Sequence, residues 1–424
     1  MIEPMAPDAH HAAFVHVFGA RGQRWKRIRT LTSVALKASQ LKSFLPIITE
    51  QTDDFIDFLK HEMKLAADQN NNQENCEIQL DVHRLLQKLT ATVIGRAALG
   101  LERRPFNDES QHFKLFKKLF GNEPNVLLDS ESVQWLTPNS TKLWVDLQTL
   151  WSKNESPIEQ LNSHIGTLLK SKVKGKDSVD FLQQFKNVEN VEFVHSENAP
   201  ESSDDGFQDI GKIRVQPVLA TGEIISQTRF LSIAGFDTTA NTLTFALLLL
   251  GENPEVLERV QKEVDSFPDN LQYESLSKAE YLHCVILETL RLFPHASMLQ
   301  SRLCMEDCHL PDGTVIPKGV GVLFDTWGLQ RDPEYWDEPE KFIPERHGST
   351  ALCLDFFTPF GVGQRQCIGM RFALMELKAV LIRFLKQFTV TLPPGTSSKN
   401  VYVALRDTGT VWPSQLKLCF KKRF

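Results

Sequence analysis

Helical periodicity is the feature that most constrains the fold of this chain. Apolar residues recur at spacings of three and four residues, the pattern of amphipathic helices, in residues 25–65, 81–99, 140–172, 222–250, 255–266, 277–293 and 366–388. Strand-like segments are few and come late: residues 314–324, 388–392 and 401–405, then VWP and LKLCF near the end. The sequence therefore predicts a mainly α fold with a small β-rich part.

The chain is predicted to be a single domain over residues 1–424, since no internal repeat or hinge-like spacer divides it. Residues 187–209 are acidic and mostly polar, which predicts an exposed, mobile loop; residues 66–76 predict a second polar loop. The net charge of −6 gives no reason to expect a nucleic-acid partner. The longest apolar run, residues 243–251, is far shorter than the ~20 residues that a membrane span needs.

One of the seven cysteines lies in an unusual setting, the segment FGVGQRQCIG at residues 360–369. Cys367 precedes a predicted helix, whose N-terminal N–H groups would stabilise a thiolate. Gly363 and Gly369 allow close approach of a flat partner, and Arg365 is suited to a carboxylate. Haem is a flat, carboxylate-bearing group that accepts a cysteine ligand. From these residues alone, a buried core cysteine or a nucleophile remains open.

A second segment, AGFDTT at residues 234–239, lies in a long apolar helix. Gly235 lacks a side chain, and the hydroxyl of Thr238 can bond a carbonyl one turn earlier. Together they could open a notch that holds dioxygen and water. The alternative is a kinked core helix with a locally satisfied threonine.

Two further patterns place charged residues on helix faces. In ETLR, Glu288 and Arg291 are three residues apart and can pair; because apolar residues surround them, they need a further partner such as Arg346 in FIPERH. In WKRIR, Trp25 and Arg29 are one turn apart and form a plausible carboxylate clamp. The alternative for the last pair is a core tryptophan beside a surface arginine.

The segment FGVGQRQCIG resembles the haem-binding signature of the cytochrome P450 family, F-x-x-G-x-R-x-C-x-G. All its fixed positions match: Phe360, Gly363, Arg365, Cys367 and Gly369. The resemblance implies that Cys367 is the axial iron ligand of a haem (heme b). It implies that Arg365 binds a haem propionate and that Phe360 packs near the sulfur.

The other patterns resemble motifs of the same family, in the same order. AGFDTT is similar to the oxygen-activation motif, which implies that Thr238 steers protons with Asp237 as its acidic partner. It also implies that Ile233 and Ala234 face the haem and substrate.

ETLR with PER resembles the structural E-x-x-R triad, which implies that Glu288, Arg291 and Arg346 are architectural; His347 stands where the family more often has phenylalanine. WKRIR resembles the W-x-x-x-R helix, whose matching residues contact a propionate. Arg302 lies where the family often has another propionate-binding arginine. The cofactor-binding residues implied here are Trp25, Arg29 and Arg302.

The wider pattern is similar to animal microsomal members, closest to the clan of drug- and steroid-oxidising and invertebrate detoxifying enzymes. This implies a monooxygenase that inserts one atom of O₂ into an apolar substrate, at the cytosolic face of the endoplasmic reticulum membrane. Electrons would come from NADPH–cytochrome P450 reductase, with cytochrome b5 as a second candidate donor. Two alternatives stay open: a catalytically inactive haem-binding product and an O₂-independent haem-thiolate isomerase or dehydratase.

Three further expectations follow. The Trp25 helix starts near the beginning of the chain, so we expect the family's membrane anchor and first strands and helices to be missing. The substrate pocket is expected to draw on residues 105–185 and 296–300 and on a terminal loop, residues 406–413. A basic cluster is either a docking face for the reductase or a solvated helix face: Arg21, Arg24, Lys26, Arg27 and Arg29.

Overall fold

A computed structural model describes residues 13–70, 77–107, 109–120, 157–175, 179–189, 218–348, 356–407, 410–413 and 416–424. The helices are α1 (Gly22–Ala35), α2 (Ala38–Asn70), α3 (Val82–Leu99), α4 (Gln111–Phe120), α5 (Pro157–Ser171), α6 (Phe181–Asn187), α7 (Thr221–Glu252), α8 (Pro254–Asp265), α9 (Glu280–Leu292), α10 (Thr326–Leu329), α11 (Met370–Gln387) and α12 (Ser398–Val403). The strands are β1 (Glu77–Asp81), β2 (Ser301–Leu303), β3 (Cys308–His309), β4 (Val315–Ile316), β5 (Gly321–Leu323), β6 (Phe388–Thr391), β7 (Leu405–Asp407), β8 (Val411–Pro413) and β9 (Lys417–Lys422). The predicted fold class, mainly α with a small β part, is confirmed.

Helix α7 forms the centre of the molecule. It packs against α3 over much of its length and also contacts α5, α9 and α11. By length and hydropathy α7 could cross a membrane, but 78% of its apolar window is buried inside the protein. A helix that is apolar on every side is expected in a protein core as well as in a bilayer. The cysteine loop and α7 are thus held on one framework of packed helices.

The β part is split into small antiparallel sheets. The largest has the order β1-β9-β6, with Phe420 of β9 aligned with Ile78 on one side and Val390 on the other. The other described strands pair as β2–β5, β3–β4 and β7–β8. The last of these hairpins, β7–β8, brings the C-terminal region close to α7.

Three sequence expectations about elements are wrong. Residues 25–65 form two helices, because at Leu36 the backbone tightens: its N–H bonds to Ser33 O at 3.3 Å, three residues back. Residues 401–405 are mostly helical, since the Ser397 side chain caps α12 by accepting the N–H of Asn400 at 3.2 Å. The first five residues of the expected polar loop at 66–76 are helical, because α2 continues to Asn70; residues 71–76 lie outside the described residues.

Strand β1 was not predicted at all. Only Ile78 in it is buried, so its five residues show little alternation of apolar and polar side chains. Its partner β9 lies more than three hundred residues further along the chain. Part of the predicted helix at 140–172 and most of the acidic loop at 187–209 lie outside the described residues.

Candidate active site

A cavity of about 970 Å³ lies between α7, the start of α1, the loop at residues 359–369 and strands β2 and β5. Its walls include most of the residues singled out in the sequence: Trp25, Arg29, Ala234, Gly235, Thr238, Arg302, Phe360, Arg365, Cys367 and Gly369. Five separate segments of the chain therefore meet at one site. Three of the four sequence motifs contribute predicted site residues to this cavity, and the charged triad of the fourth, around Glu288, lies outside it.

Cys367 lies on the floor of the cavity, just before α11. Its backbone N–H donates to the carbonyl oxygen of Phe360 at 2.7 Å, which closes the loop. Gly363 has φ +73°, a conformation that side-chain-bearing residues rarely adopt, so glycine is required there. The loop geometry thus fixes the sulfur with respect to the cavity.

The environment of the sulfur is only partly as predicted. Burial raises the pKa of the Cys367 thiol and outweighs the backbone N–H groups of Gly369 and Met370 and the charge of Arg29, which all lower it. The helix start therefore assists the thiolate but is not sufficient to form it. A metal cation bound to the sulfur would remove the proton outright.

Arginine side chains crowd the rim of the cavity beside Trp25. Arg365 donates to the backbone oxygens of Val17 and Ala20, at 3.2 and 2.8 Å, and its guanidinium lies 4.4 Å from the centre of the Trp25 ring. The indole Nε1 of Trp25 is buried and has no hydrogen-bond partner among the described residues. Arg29 donates to the Gln366 oxygen at 2.8 Å.

This rim carries an excess of positive charge. Burial, followed by the nearby charges of Arg302, Arg21 and Arg29, lowers the pKa of Arg365 to about 10. Mutual repulsion of this kind is relieved by an anion. An unpartnered buried indole N–H and a cluster of guanidiniums together fit a ligand with two carboxylates.

Helix α7 presents one stripe to the cavity. Leu231, Ala234, Gly235 and Thr238 line it at the expected three- and four-residue spacing. The Thr238 hydroxyl donates to the carbonyl of Ala234 at 2.6 Å, as the sequence suggested. Ile233 is off this stripe and does not line the cavity, so that expectation is wrong.

Gly235 has a different role from the predicted notch. A Cβ atom at this position would lie 2.9 Å from Cδ1 of Ile94 on α3. The space left by the missing side chain is therefore filled by Ile94. Glycine here allows α3 and α7 to approach closely, and Ile94 itself reaches the cavity wall.

Asp237 points away from the cavity into a buried polar network. Its Oδ1 accepts from Gln87 Nε2 at 3.0 Å, and its Oδ2 accepts from Asn241 Nδ2 at 2.8 Å and from the hydroxyl of Thr410. The Asn241 amide oxygen lies 2.7 Å from Nε2 of His83. Sequence analysis missed these partners. Gln87, His83 and Thr410 lie on other elements, so no local pattern links them to Asp237. Asn241 is four residues further along α7, a spacing at which helix side chains can pair.

The Glu288 triad is confirmed as a buried cluster. Glu288 and Arg291 are fully buried and form two hydrogen bonds of 2.8 and 2.9 Å. Arg346 donates to the same carboxylate at 3.0 Å, and His347 Nε2 lies 2.8 Å from it. His347, noted as a departure from the family, is thus a fourth member of the cluster.

The proposed basic face on α1 is wrong as a single surface. Arg24 and Arg27 both donate to the fully buried carboxylate of Glu223 at the start of α7, at 2.7–2.8 Å. Arg29 faces the cavity. The basic residues of α1 and its start therefore have two internal roles. Arg24 and Arg27 bind α7, whereas Arg21, Lys26 and Arg29 line the cavity.

The expected pocket segments are partly brought to the site. Phe181 lines the cavity, as do Ala296, Leu299 and Gln300. In the terminal loop, residues 406 and 407 belong to β7. Residues 410–413 pack on α3, α7 and the segment after α9 and do not line the cavity. Residues 408 and 409 lie outside the described residues.

The site fits haem: a thiol on the floor, carboxylate-binding donors on the rim, and a threonine on the opposite wall. The sequence profile of the Cytochrome P450 family matches residues 11–420. Putative cytochrome P450 CYP13A7 of Caenorhabditis elegans is 30% identical over 429 residues, which cover 97% of this chain and 78% of that protein. Cytochrome P450 3A6 of Oryctolagus cuniculus and 3A5 of Homo sapiens are each 32% identical, over 376 and 379 residues, covering 87% of this chain and 68% of theirs. The chain belongs to the cytochrome P450 family and is a haem-dependent monooxygenase.

Proposed function

We propose that this enzyme holds haem b through Cys367 and oxidises an apolar small molecule with electrons from NADPH–cytochrome P450 reductase. One observation carries the proposal: Cys367, the cationic rim and Thr238 line the same cavity. The residue roles that follow are part of this proposal.

The cofactor would be held from two sides. Cys367 supplies the axial thiolate, and Trp25, Arg29, Arg302 and Arg365 supply donors for the two propionates. A haem with a thiolate ligand activates O₂, so that one oxygen atom enters the substrate and the other leaves as water. Phe360 and Gly363 keep the cysteine loop in its place, as the 2.7 Å bond to Phe360 and the positive φ of Gly363 indicate.

Residues of α7 would deliver protons to the site. The Thr238 hydroxyl gives its hydrogen to the Ala234 carbonyl and keeps lone pairs that accept a hydrogen bond from a water in the cavity. Asp237, the next residue back, is the acidic group behind it. Their roles are to orient that water and to resupply its proton.

The substrate class is indicated by the upper part of the cavity, which carries Phe18, Phe230, Leu231 and Leu299. A cavity of this size, lined mainly by apolar side chains, suits small organic molecules with few charges. Burial of their apolar surface would supply the binding free energy.

Electron transfer would occur at the face that carries the cysteine loop. With Arg24 and Arg27 committed to Glu223, the cations left near this face include Lys26 and the exposed Arg371 at the start of α11. We propose attachment to the cytosolic face of the endoplasmic reticulum membrane, with cytochrome b5 as a second electron donor. Arg371→Glu should raise the KM for reductase and weaken its dependence on salt.

The deciding experiment is the reduced, carbon-monoxide difference spectrum of the wild-type chain, Cys367→Ser and Cys419→Ser. We expect a thiolate-type Soret band for the wild type and for the control Cys419→Ser, whose cysteine lies in β9. We expect this band to be lost in Cys367→Ser. Retention of that band in Cys367→Ser would overturn the ligand assignment. Consumption of NADPH and O₂ with probe-substrate oxidation separates a monooxygenase from the isomerase and from an inactive haem-binding product.

A further inference from the structure

The carboxylate of Asp237 is held by one residue of its own helix and by two that lie more than a hundred residues away in the sequence. Asp237 is only 1% exposed, and three neutral donors bond to it: Gln87 from α3, Asn241 from α7 and Thr410 from the C-terminal region. Neutral donors stabilise a buried carboxylate only while all of them remain in place. The orientation of this acid therefore depends on three separate elements.

The donor from the C-terminal region is itself firmly held. Thr410 lies just before β8 and is 6% exposed. The next residue, Val411, donates its backbone N–H to the carbonyl of His295 at 2.8 Å. Trp412 stacks on the ring of His83, with centroids 5.4 Å apart and planes 13° from parallel. The two residues that follow Thr410 thus fasten the hairpin to the segment after α9 and to α3.

The contacts of Thr410 lie directly behind the cavity. Thr238, the next residue after Asp237, lines the cavity, and so does His295. The hydroxyl of Thr242 donates to the Thr238 carbonyl at 2.9 Å and lies 2.9 Å from His295 Nε2. The hairpin therefore contacts the α7 segment that carries the acid and the threonine, although its described residues do not line the cavity.

We propose that Thr410 is a positioning residue for oxygen activation: its hydroxyl fixes the Asp237 carboxylate behind Thr238. This inference rests on the proposed function of the Asp237–Thr238 pair. It assigns to the β7–β8 hairpin a role in proton delivery that is distinct from substrate contact. Loss of the Thr410 hydroxyl leaves Oδ2 with a single donor, so the carboxylate no longer has one orientation.

The test is the hydrogen peroxide released per NADPH oxidised, with an NADPH–cytochrome P450 reductase and 7-ethoxycoumarin as the probe substrate. In the productive reaction NADPH, one proton, O₂ and substrate give hydroxylated product, water and NADP⁺. When proton delivery fails, the two electrons and two protons leave as hydrogen peroxide. Thr410→Val should raise this ratio about three-fold or more, since hydrogen bonds to charged groups are among the stronger ones.

Two variants separate positioning from a general structural effect. Thr410→Ser keeps the hydroxyl and should restore the wild-type ratio. Thr244→Val removes a buried hydroxyl from the same helix, one that bonds only to the Ala240 carbonyl at 2.7 Å in the described network, and should leave the ratio unchanged. Each variant must keep the thiolate-type carbon-monoxide spectrum of the wild type.

A double substitution tests whether Thr410 acts through Asp237. In Asp237→Asn the acid is already lost, so adding Thr410→Val should change the peroxide ratio little. An additive increase, or a wild-type ratio in Thr410→Val alone, would overturn the proposal. If Thr410→Val does not retain haem, Gln87→Leu takes its place, since it removes the hydrogen bond to Oδ1 of Asp237. An unchanged peroxide ratio in Gln87→Leu would then overturn the proposal. Absence of the thiolate spectrum in the wild type would be a failure of the proposed function instead.

Discussion

The carboxylate of Glu288 and the imidazole of His347 lie 2.8 Å apart, Oε2 to Nε2, in a cluster from which solvent is excluded. The same carboxylate accepts hydrogen bonds from Arg291, Arg346 and the backbone N–H of Ile343. Burial raises the pKa of Glu288, but the hydrogen bonds from Arg291, His347 and the Ile343 N–H, with the charge of Arg291, lower it to about 2. The cluster fastens α9 to the 3₁₀ turn at Pro344–His347.

Glu288→Gln should destabilise the protein strongly, because Arg291 would stay buried without a counter-charge. Breaking a buried pair from one side costs about 3–5 kcal/mol. Urea unfolding of the wild type and the variant measures this difference. The matched control is Glu258→Gln, whose pair with Lys262 is exposed and also lies within one helix; its effect on the unfolding free energy should be far smaller, because solvent screens an exposed pair. Equal effects of the two substitutions would contradict the triad as a source of stability.

Acid should begin to destabilise the fold below pH 6.5, through buried histidines. Burial, opposed by the charge of Asp237, lowers the pKa of His295 from its ordinary 6.5 to about 4. The unfolded chain then binds the proton more readily, so this group's contribution is complete above pH 6.5. It decreases by about 1.4 kcal/mol per pH unit as the pH falls from 6.5 towards 4.

Unfolding free energies measured between pH 7 and 4.5 test this contribution. His295→Gln should flatten the slope with pH, whereas His61→Gln, at an exposed position on α2, should leave it unchanged. An unaltered slope in His295→Gln would show that other groups cause the loss of stability in acid.

Arg365→Leu should weaken haem retention by about ten-fold or more, because a charged hydrogen bond to a carboxylate is worth about 1.5–3 kcal/mol. Arg365→Lys should recover only part of the loss, since lysine keeps the charge without the forked donors. The rate of haem transfer to apomyoglobin measures this. Arg103→Leu removes an arginine whose pair with Asp54 is half exposed, and should not alter the rate. Equal rates for wild type and Arg365→Leu would argue against the cationic rim as a propionate site.

The sequence predicted the parts of this site that are local, and it missed the parts that arise from packing. The cysteine loop and the Glu288–Arg291 pair are encoded by short spacings, so their residues could be named in advance. The contact of Gly235 with Ile94 and the bonds of Asp237 to Thr410 join positions more than a hundred residues apart. Strand β1 was missed for the same reason, since its strand character depends on pairing with β9.

Arg27→Gln should reduce stability and leave the reaction with reductase unchanged, because Arg27 binds Glu223 and the carbonyl of residue 218 inside the protein. We expect a loss of about 2 kcal/mol, the scale of a buried charged hydrogen bond. Urea unfolding and the KM for reductase are measured on the same preparation. A raised KM with unchanged stability would restore the view of α1 as a docking face.

Gly235→Ala should disturb the contact between α3 and α7, because the new Cβ would lie 2.9 Å from Ile94 Cδ1. Overpacking of this kind costs about 1–3 kcal/mol. Ile94→Val removes that one methyl group, so the double variant should recover most of the lost stability, beyond the sum of the single effects. Thermal unfolding of the four proteins gives the coupling. If Gly235→Ala is neutral, glycine is not needed for helix packing, and the notch expected from the sequence becomes the better account of this residue.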